Sequence, residues 1–385
     1  MLLITLLYLF FNFVNALEWS NLIQSNVTLN ERDKRAVMRN KKLRWKSHIF
    51  PYYVSRDLDL KSTIIMVALM KIEKCTCLRF SRVFSKIRAS LIYNAGPMYS
   101  THLGKEGIFP QKISIPRGDM HFGKIARETL RALGFDYEHN RPDRDMHISI
   151  IKKNILARYL PLYDKKSSAV ANTYGLSYDY RSVMHYGAKE LCHYSLQCIK
   201  SKSKDPLVDL AMGKAIDLSF NDAKLVNLAY CISEILIRRA RCLNYGFPLS
   251  LSYKKCFCLP YFGGKRCELL MTNFDYCTNP NVFYANKQLT KKTLKARRDC
   301  YYFIKAREGK QIMLYIEFTS FALNTPVCDE NRHLEIRFKK DYSVTGKLVC
   351  PKALFYSFKS ESNMIIIHSK YDIKYYMFKI FYHEI

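Results

Sequence analysis

The chain has 385 residues, with 62 Lys and Arg against 33 Asp and Glu, a formal net charge of +29. At 49% hydrophobic and 14% aromatic it holds enough apolar surface to bury real cores, which excludes a mostly disordered polybasic protein, and its length points to two or three domains. Thirteen cysteines are too many for a reduced cytosolic protein and read as an extracellular disulfide framework.

An almost unbroken apolar stretch from Leu2 to Val14 closes on Val14-Asn15-Ala16, so residues 1–16 read as a signal peptide and the protein as secreted. No second apolar segment approaches twenty residues, and no membrane span is predicted. Residues 17–35 form a short propeptide ending in Arg32-Asp33-Lys34-Arg35, with Arg35 a processing site for a proprotein convertase; an exposed charge run is the plainer alternative. Asn26-Val27-Thr28 is the one glycosylation sequon, and a glycan on Asn26 would leave with this segment.

Residues 1–35 hold three basic and three acidic side chains, so the positive excess lies in residues 36–385. It crowds at Arg39, Lys41, Lys42, Arg44 and Lys46, and again at Lys287, Lys291, Lys292, Lys295, Arg297 and Arg298. Such a field suits extracellular proteins or an anionic matrix as partners, beside the plainer reading of a solvated face. Nucleic acid is not predicted, because no basic motif interleaved with aromatics is present and the compartment is wrong.

From Met120 to Asp145 the chain reads MHFGKIARETLRALGFDYEHNRPDRD. Positions 127 and 131 are an i, i+4 pair on one helix face, accompanied by the acid Glu128 and the turn residue Gly134. In zinc proteases of this shape two His on that face bind the metal, the Glu is the general base, and the Gly turns the chain toward a third His.

Here the sequence resembles the astacin family of secreted zinc metalloendopeptidases. Glu128, Ala132-Leu133-Gly134-Phe135, Glu138 and Arg141-Pro142-Asp143-Arg144-Asp145 follow its long signature. Tyr178-Asp179-Tyr180 and Ser182-Val183-Met184-His185-Tyr186-Gly187 follow its Met-turn, and Leu218-Ser219-Phe220, Asp222 and Tyr230-Cys231 the end of its catalytic domain. The resemblance implies an α+β fold, a two-lobed metzincin/astacin-like domain over residues 36–232.

The three positions where the family has zinc-binding histidines are Arg127, Arg131 and Tyr137. Arginine has no lone pair to offer and stays charged at any physiological pH, and a tyrosine coordinates only as a phenolate. Without the ion nothing acidifies a water near Glu128 or polarises a scissile carbonyl. No cofactor is therefore predicted in place of the family's zinc, and Glu128 and Tyr186 read as remnants of the general base and of the Met-turn tyrosine. His139 stands two residues beyond the third ligand position and is expected to point elsewhere, and the two arginines are expected either to pair with acids such as Asp136 or Glu138 or to line an anion-holding cleft.

A family disulfide is also missing at both ends: its positions fall in Gly96-Pro97-Met98-Tyr99-Ser100 and at Asp119. The propeptide lacks the family's acidic, zinc-blocking stretch. The resemblance further implies that Ala36, once freed, contacts Glu138, and that Cys77 pairs with Cys231.

Beyond Cys231, the pattern Cys242, Cys256-Phe257-Cys258 and Gly263-Gly264-Lys265-Arg266-Cys267 is similar to the second half of an EGF-like module, at 238–268, implying the pairs Cys242–Cys256 and Cys258–Cys267. A stapled linker without a ligand is the alternative. Over 277–385, short β-branched and aromatic runs separated by turns predict an antiparallel sandwich. The pairs Cys277–Cys300 and Cys328–Cys350 resemble those of a CUB domain. Cys192 and Cys198 are close enough to bridge, which would leave Cys75 odd.

The sum predicts a secreted, catalytically inactive protease homologue that binds extracellular proteins or matrix. The alternative is a residually active zinc-dependent metalloendopeptidase.

Overall fold

The computed structural model describes residues 37–194, 196–203, 206–248, 255–318, 333–351, 355–371 and 377–385. The expected signal peptide and propeptide, Asn26, Arg35, Ala36 and Cys328 lie outside the described residues.

Five strands form the first sheet: β1 (Ile49–Val54), β2 (Arg79–Arg82), β3 (Leu91–Ala95), β4 (Ser100–Thr101) and β5 (Gln111–Ile115), in the order β2-β1-β3-β5-β4. All pairs are parallel except β4 with β5 at the edge. Alternation sets the faces: in β1, Phe50, Tyr52 and Val54 are buried while the residues between them are not. Helix α1 (Ser62–Cys75) buries Ile65, Ala68, Leu69 and Ile72, an i, i+3, i+4, i+7 stripe. It packs against helix α2 (Phe122–Ala132), and the same core takes in Leu91, Tyr93, Ile113 and Leu130.

The half of this domain after α2 has little regular structure and is held by side chains and bridges. Ser219 and Asp222 make a capping box at the start of helix α3 (Phe220–Val226). Asp222 then reaches across to accept from Ser182 Oγ at 2.6 Å and Val183 N at 2.8 Å, so one carboxylate fixes both the helix start and the Met-turn. Disulfides join Cys77 to Cys231 and Cys192 to Cys198, and Cys75 keeps a free thiol that burial pushes up to about 12. The missing family bridge has a non-covalent counterpart: the Tyr99 hydroxyl donates to the Asp119 carbonyl and accepts from His121 N at 2.7 Å.

Two short ribbons come next, Phe247–Pro248 with Cys256–Phe257 and Phe262–Gly263 with Leu269–Leu270, stapled by Cys242–Cys256 and Cys258–Cys267. The last part is a sandwich. One sheet contains β6 (Val282–Tyr284), β8 (Cys300–Lys305), β10 (Leu334–Arg337), β11 (Lys347–Val349) and β13 (Met364–Ser369), in the order β6-β8-β13-β10-β11. The other contains β7 (Thr290–Lys295), β9 (Ile312–Phe318), β12 (Phe355–Lys359) and β14 (Met377–Glu384), in the order β7-β14-β9-β12. Ile312, Leu314, Ile316 and Phe318 of β9 join Phe378, Ile380 and Tyr382 of the neighbouring β14 in one core. Cys277 bonds to Cys300 at its edge.

The sandwich is tied to the first domain and the ribbons by polar side-chain bonds. Ser177 Oγ donates to Asp341 at 2.6 Å, Thr345 Oγ1 to Asp179 at 2.8 Å, and Tyr245 OH to the Lys340 carbonyl at 2.8 Å.

The Cys77–Cys231 bond closes a loop over a sequence separation of 154 residues. Replacing both cysteines by alanine is expected to lower unfolding stability by about 2–5 kcal/mol, read as a shifted urea midpoint of the oxidised protein. An unchanged midpoint would mean that the bridge does not restrain the unfolded chain.

Candidate active site

Helix α2 is buried on nearly every side, with Ile125, Ala126, Arg127, Glu128, Thr129, Leu130 and Ala132 all inaccessible. It ends where Gly134 takes a positive φ of 94°. Phe135 N then bonds the Leu130 carbonyl at 3.1 Å and Gly134 N the Arg131 carbonyl at 2.9 Å, the Schellman pattern that throws the chain back along the helix. That reversal brings Tyr137 over Glu128.

Arg127 lies beneath the helix with 4% of its side chain exposed. Its guanidinium is a three-way clamp: Nε donates to the Val183 carbonyl at 2.9 Å, Nη2 to the His185 carbonyl at 2.9 Å, and Nη1 to Glu190 Oε1 at 2.7 Å. It also stands over the Tyr186 ring, 5.1 Å from its centroid. The other oxygen of Glu190 accepts from Gly187 N at 2.8 Å, so the carboxylate closes the turn it is paired to. Arg131 bonds Asp136 at 2.6 Å and covers the Tyr137 ring at 4.2 Å.

The Tyr137 hydroxyl donates to Glu128 Oε1 at 3.1 Å, and its ring lies 4.4 Å from that of Tyr186. Burial raises the Tyr137 phenol far from its phenolate. Burial also pushes the Glu128 carboxyl up to about 7, against the pull of Arg131 and Arg127, and its second oxygen is buried without a hydrogen-bond partner. The structure thus brings Arg127, Glu128, Arg131, Tyr137 and Tyr186 into one closed cluster.

Three features differ from the sequence-based expectation or lie beyond its reach. Arg131 pairs with Asp136, but Arg127 takes Glu190, and Glu138 instead bonds Arg141 at 2.8 Å and Asp179 N at 3.0 Å. Both cluster arginines are therefore committed to internal partners, which argues against a cleft that holds anions. The only signal for Glu190 is that it is the sole acid between Asp179 and Asp205 in a basic stretch. His139 does not point away: a short turn at 138–140 stacks its ring on Tyr137 at 5.3 Å and sets it 4.4 Å from Tyr186.

The residues present do not fit a zinc ion. Two of the three family positions hold donors-only cations already bonded to oxygen, and the third holds a neutral phenol. Of the nearby imidazoles, those of His185 and His139 are engaged at both nitrogens, while Nδ1 of His121, at the start of the helix, is buried without a hydrogen-bond partner. His185 lies between Tyr178 OH at 2.6 Å and the Tyr186 carbonyl at 2.7 Å, and His139 between the Leu162 carbonyl at 3.2 Å and Tyr186 N at 3.4 Å. Among the described residues no group of three or more His, Cys, Asp or Glu is placed to hold a metal.

A helix carrying an i, i+4 pair over a Met-turn, beside a mostly parallel sheet with one antiparallel edge, is the framework of an astacin-like metallopeptidase domain. Residues 37–231 match the model of the astacin peptidase family, and the chain belongs to that family. It is 30% identical over 341 residues to zinc metalloproteinase nas-34 of Caenorhabditis elegans, covering 88% of this chain and 55% of that one. It is 26% identical over 377 residues to zinc metalloproteinase dpy-31 of Brugia malayi, covering 93% and 62%. The chain therefore spans little more than half the length of these relatives. Among solved structures, high choriolytic enzyme 1, a hatching enzyme zinc-protease of the medaka Oryzias latipes, aligns over 50% of this chain and 98% of its own at 27% identity, with a TM-score of 0.45.

Arg127→Met strands Glu190 and two carbonyls and should cost about 3 kcal/mol in chemical denaturation, with Arg127→Lys intermediate because an ammonium cannot span all three acceptors. Glu128 has a folded-state pKa above the ordinary 4.5, so its contribution is most favourable at low pH and declines as pH rises from about 4.5 through about 7. Melting curves of Glu128→Gln should lack this component: from pH 4 to pH 8 the wild type should lose on the order of 3 kcal/mol relative to the variant.

Proposed function

We propose that this protein is a secreted pseudoprotease, an astacin-fold chain without metalloendopeptidase activity that binds extracellular proteins or an anionic matrix. The observation that carries the reading is the Arg127 clamp: a cation bonded to two carbonyls and a carboxylate occupies the helix face from which zinc ligands would project. Tyr137, bonded to Glu128, and the Arg131–Asp136 pair support it from the other two positions. Glu128 and Tyr186 then act as structural members of a buried cluster.

In this reading residues 1–16 are the signal peptide, 17–35 a short propeptide removed after Arg35, and 36–232 the peptidase-like domain. Residues 238–268 are an EGF-like module and 277–385 a CUB domain. The two staples Cys242–Cys256 and Cys258–Cys267 support the first of these modules, and the five- and four-stranded sheets with Cys277–Cys300 the second. The net charge of +29 supports anionic partners.

The retained Glu128 and Tyr186 favour one second reading, a residually active zinc-dependent metalloendopeptidase like the zinc metalloproteinases it is similar to. Elemental analysis of the secreted protein, with cleavage of an unfolded substrate with and without chelator, separates the two. Less than roughly a tenth of a zinc per chain, a threshold for adventitious metal, and no chelator-sensitive cleavage is the expected result. Stoichiometric zinc with chelator-sensitive cleavage would overturn the proposal.

A further inference from the structure

Strand β2 stands at the end of the five-stranded sheet opposite β4, whereas Arg131 of the α2 cluster reaches the Thr101 carbonyl of β4 at 3.4 Å, so the two lie on opposite sides of that sheet. The chain leaves β2 through Val83-Phe84-Ser85 into a single turn, Lys86–Arg88, where Arg88 N and Ala89 N bond the Ser85 and Lys86 carbonyls at 3.2 Å. Phe84 is 86% exposed and Ile87 95%. A neighbouring turn, Arg56–Lys61, leads into α1 and leaves Leu60 fully exposed. Arg82 connects the two turns: it bonds Asp59 at 2.7 Å and Ser62 Oγ at 3.3 Å, and its guanidinium lies over the Phe84 ring, 5.5 Å from the centroid.

Single exposed apolar side chains are ordinary, but three that stand clear of the fold on adjoining turns make a patch. Each has a cation at its side: Lys61 follows Leu60, Lys86 and Arg88 flank Ile87, and Arg82 covers Phe84. Segments 55–62 and 79–88 hold six basic residues, Arg56, Lys61, Arg79, Arg82, Lys86 and Arg88, against two acidic ones, Asp57 and Asp59. Asp59 is paired with Arg82, and Asp57 lies 3.4 Å from Arg117. Glu73 of α1 accepts from Phe80 N at 2.6 Å, near the start of β2 and away from Phe84. With all of these counted, cations still outnumber carboxylates.

We infer that this corner docks on an anionic phospholipid surface, with Leu60, Phe84 and Ile87 entering the boundary between headgroups and acyl chains and Lys61, Lys86 and Arg88 meeting the phosphates. The near-complete exposure of the three apolar side chains favours a bilayer over a protein partner, because a soft layer accepts separate protruding groups without a matched pocket for each. An interface between proteins also keeps charge out of its apolar centre, and here the cations are interleaved with the apolar groups. This is attachment to a surface: no described helix is long and apolar enough to cross a membrane. It holds whether or not the protein cleaves peptides.

The test uses the full secreted chain at physiological salt, sedimented with vesicles of phosphatidylcholine alone or with added phosphatidylserine. Binding to the anionic vesicles alone is expected, weakened roughly tenfold or more by Phe84→Ser with Ile87→Ser, and as much by Lys86→Glu with Arg88→Glu. All four positions are exposed, so these changes spare the fold. Lys291→Glu with Lys292→Glu, an equal charge change on the sandwich, should shift binding less than about twofold. In Ile87→Trp, read against the wild type with its buried Trp45, the added indole emission should move to the blue on anionic vesicles and be quenched by brominated acyl chains. No binding to anionic vesicles, equal losses in the two charge variants, or an indole that neither shifts nor is quenched would each overturn the inference. Vesicle binding unchanged by Phe84→Ser with Ile87→Ser would also overturn it and assign the patch to a protein partner.

Discussion

The domain is organised around a buried positive charge. A guanidinium out of water is tolerated only where its donors meet oxygens in good geometry and a carboxylate offsets its charge, and Arg127 has both. The oxygens it needs belong to the turn at 183–190, so the helix and that turn are bound to each other through one side chain. In a zinc peptidase the metal makes that connection from histidines; here the protein makes it from donors that a metal could not share. Asp222 does the complementary task from below, fixing the same turn to the next helix. The surrounding rings of Tyr137, Tyr186 and His139 then fill the space that the turn and helix enclose.

Features that repeat or have fixed spacing are legible in the sequence. The 127/131 face, the turn at Gly134 and the alternation in Ile312–Phe318 come from local geometry, and the structure places them accordingly. Glu190 is not legible, because its role depends on a turn folding back under a helix 63 residues earlier. His139 escapes a reading along the chain because its two-residue offset from the ligand position says nothing of the short turn at 138–140, which rotates its ring into the cluster. The exchange of a disulfide for the Tyr99 hydrogen bond to Asp119 shows in the sequence only as an absence of cysteines; that a hydroxyl takes up the same junction is a property of the folded chain.

The polar links between the first domain and the sandwich rest on two carboxylates of the junction. By accepting from hydroxyl and amide donors across the junction, Asp179 and Asp341 anchor the sandwich to the first domain.

The bond between Cys77 and Cys231 makes most of the first domain a covalent ring, with the sandwich attached beyond its closing point. A cut in any exposed loop inside that ring opens the circle without releasing a piece. In an extracellular setting rich in proteases, a nicked molecule would keep its mass, its neighbours and its partner-facing surfaces until the bridge is reduced. Intact and cut copies would then be told apart only after reduction.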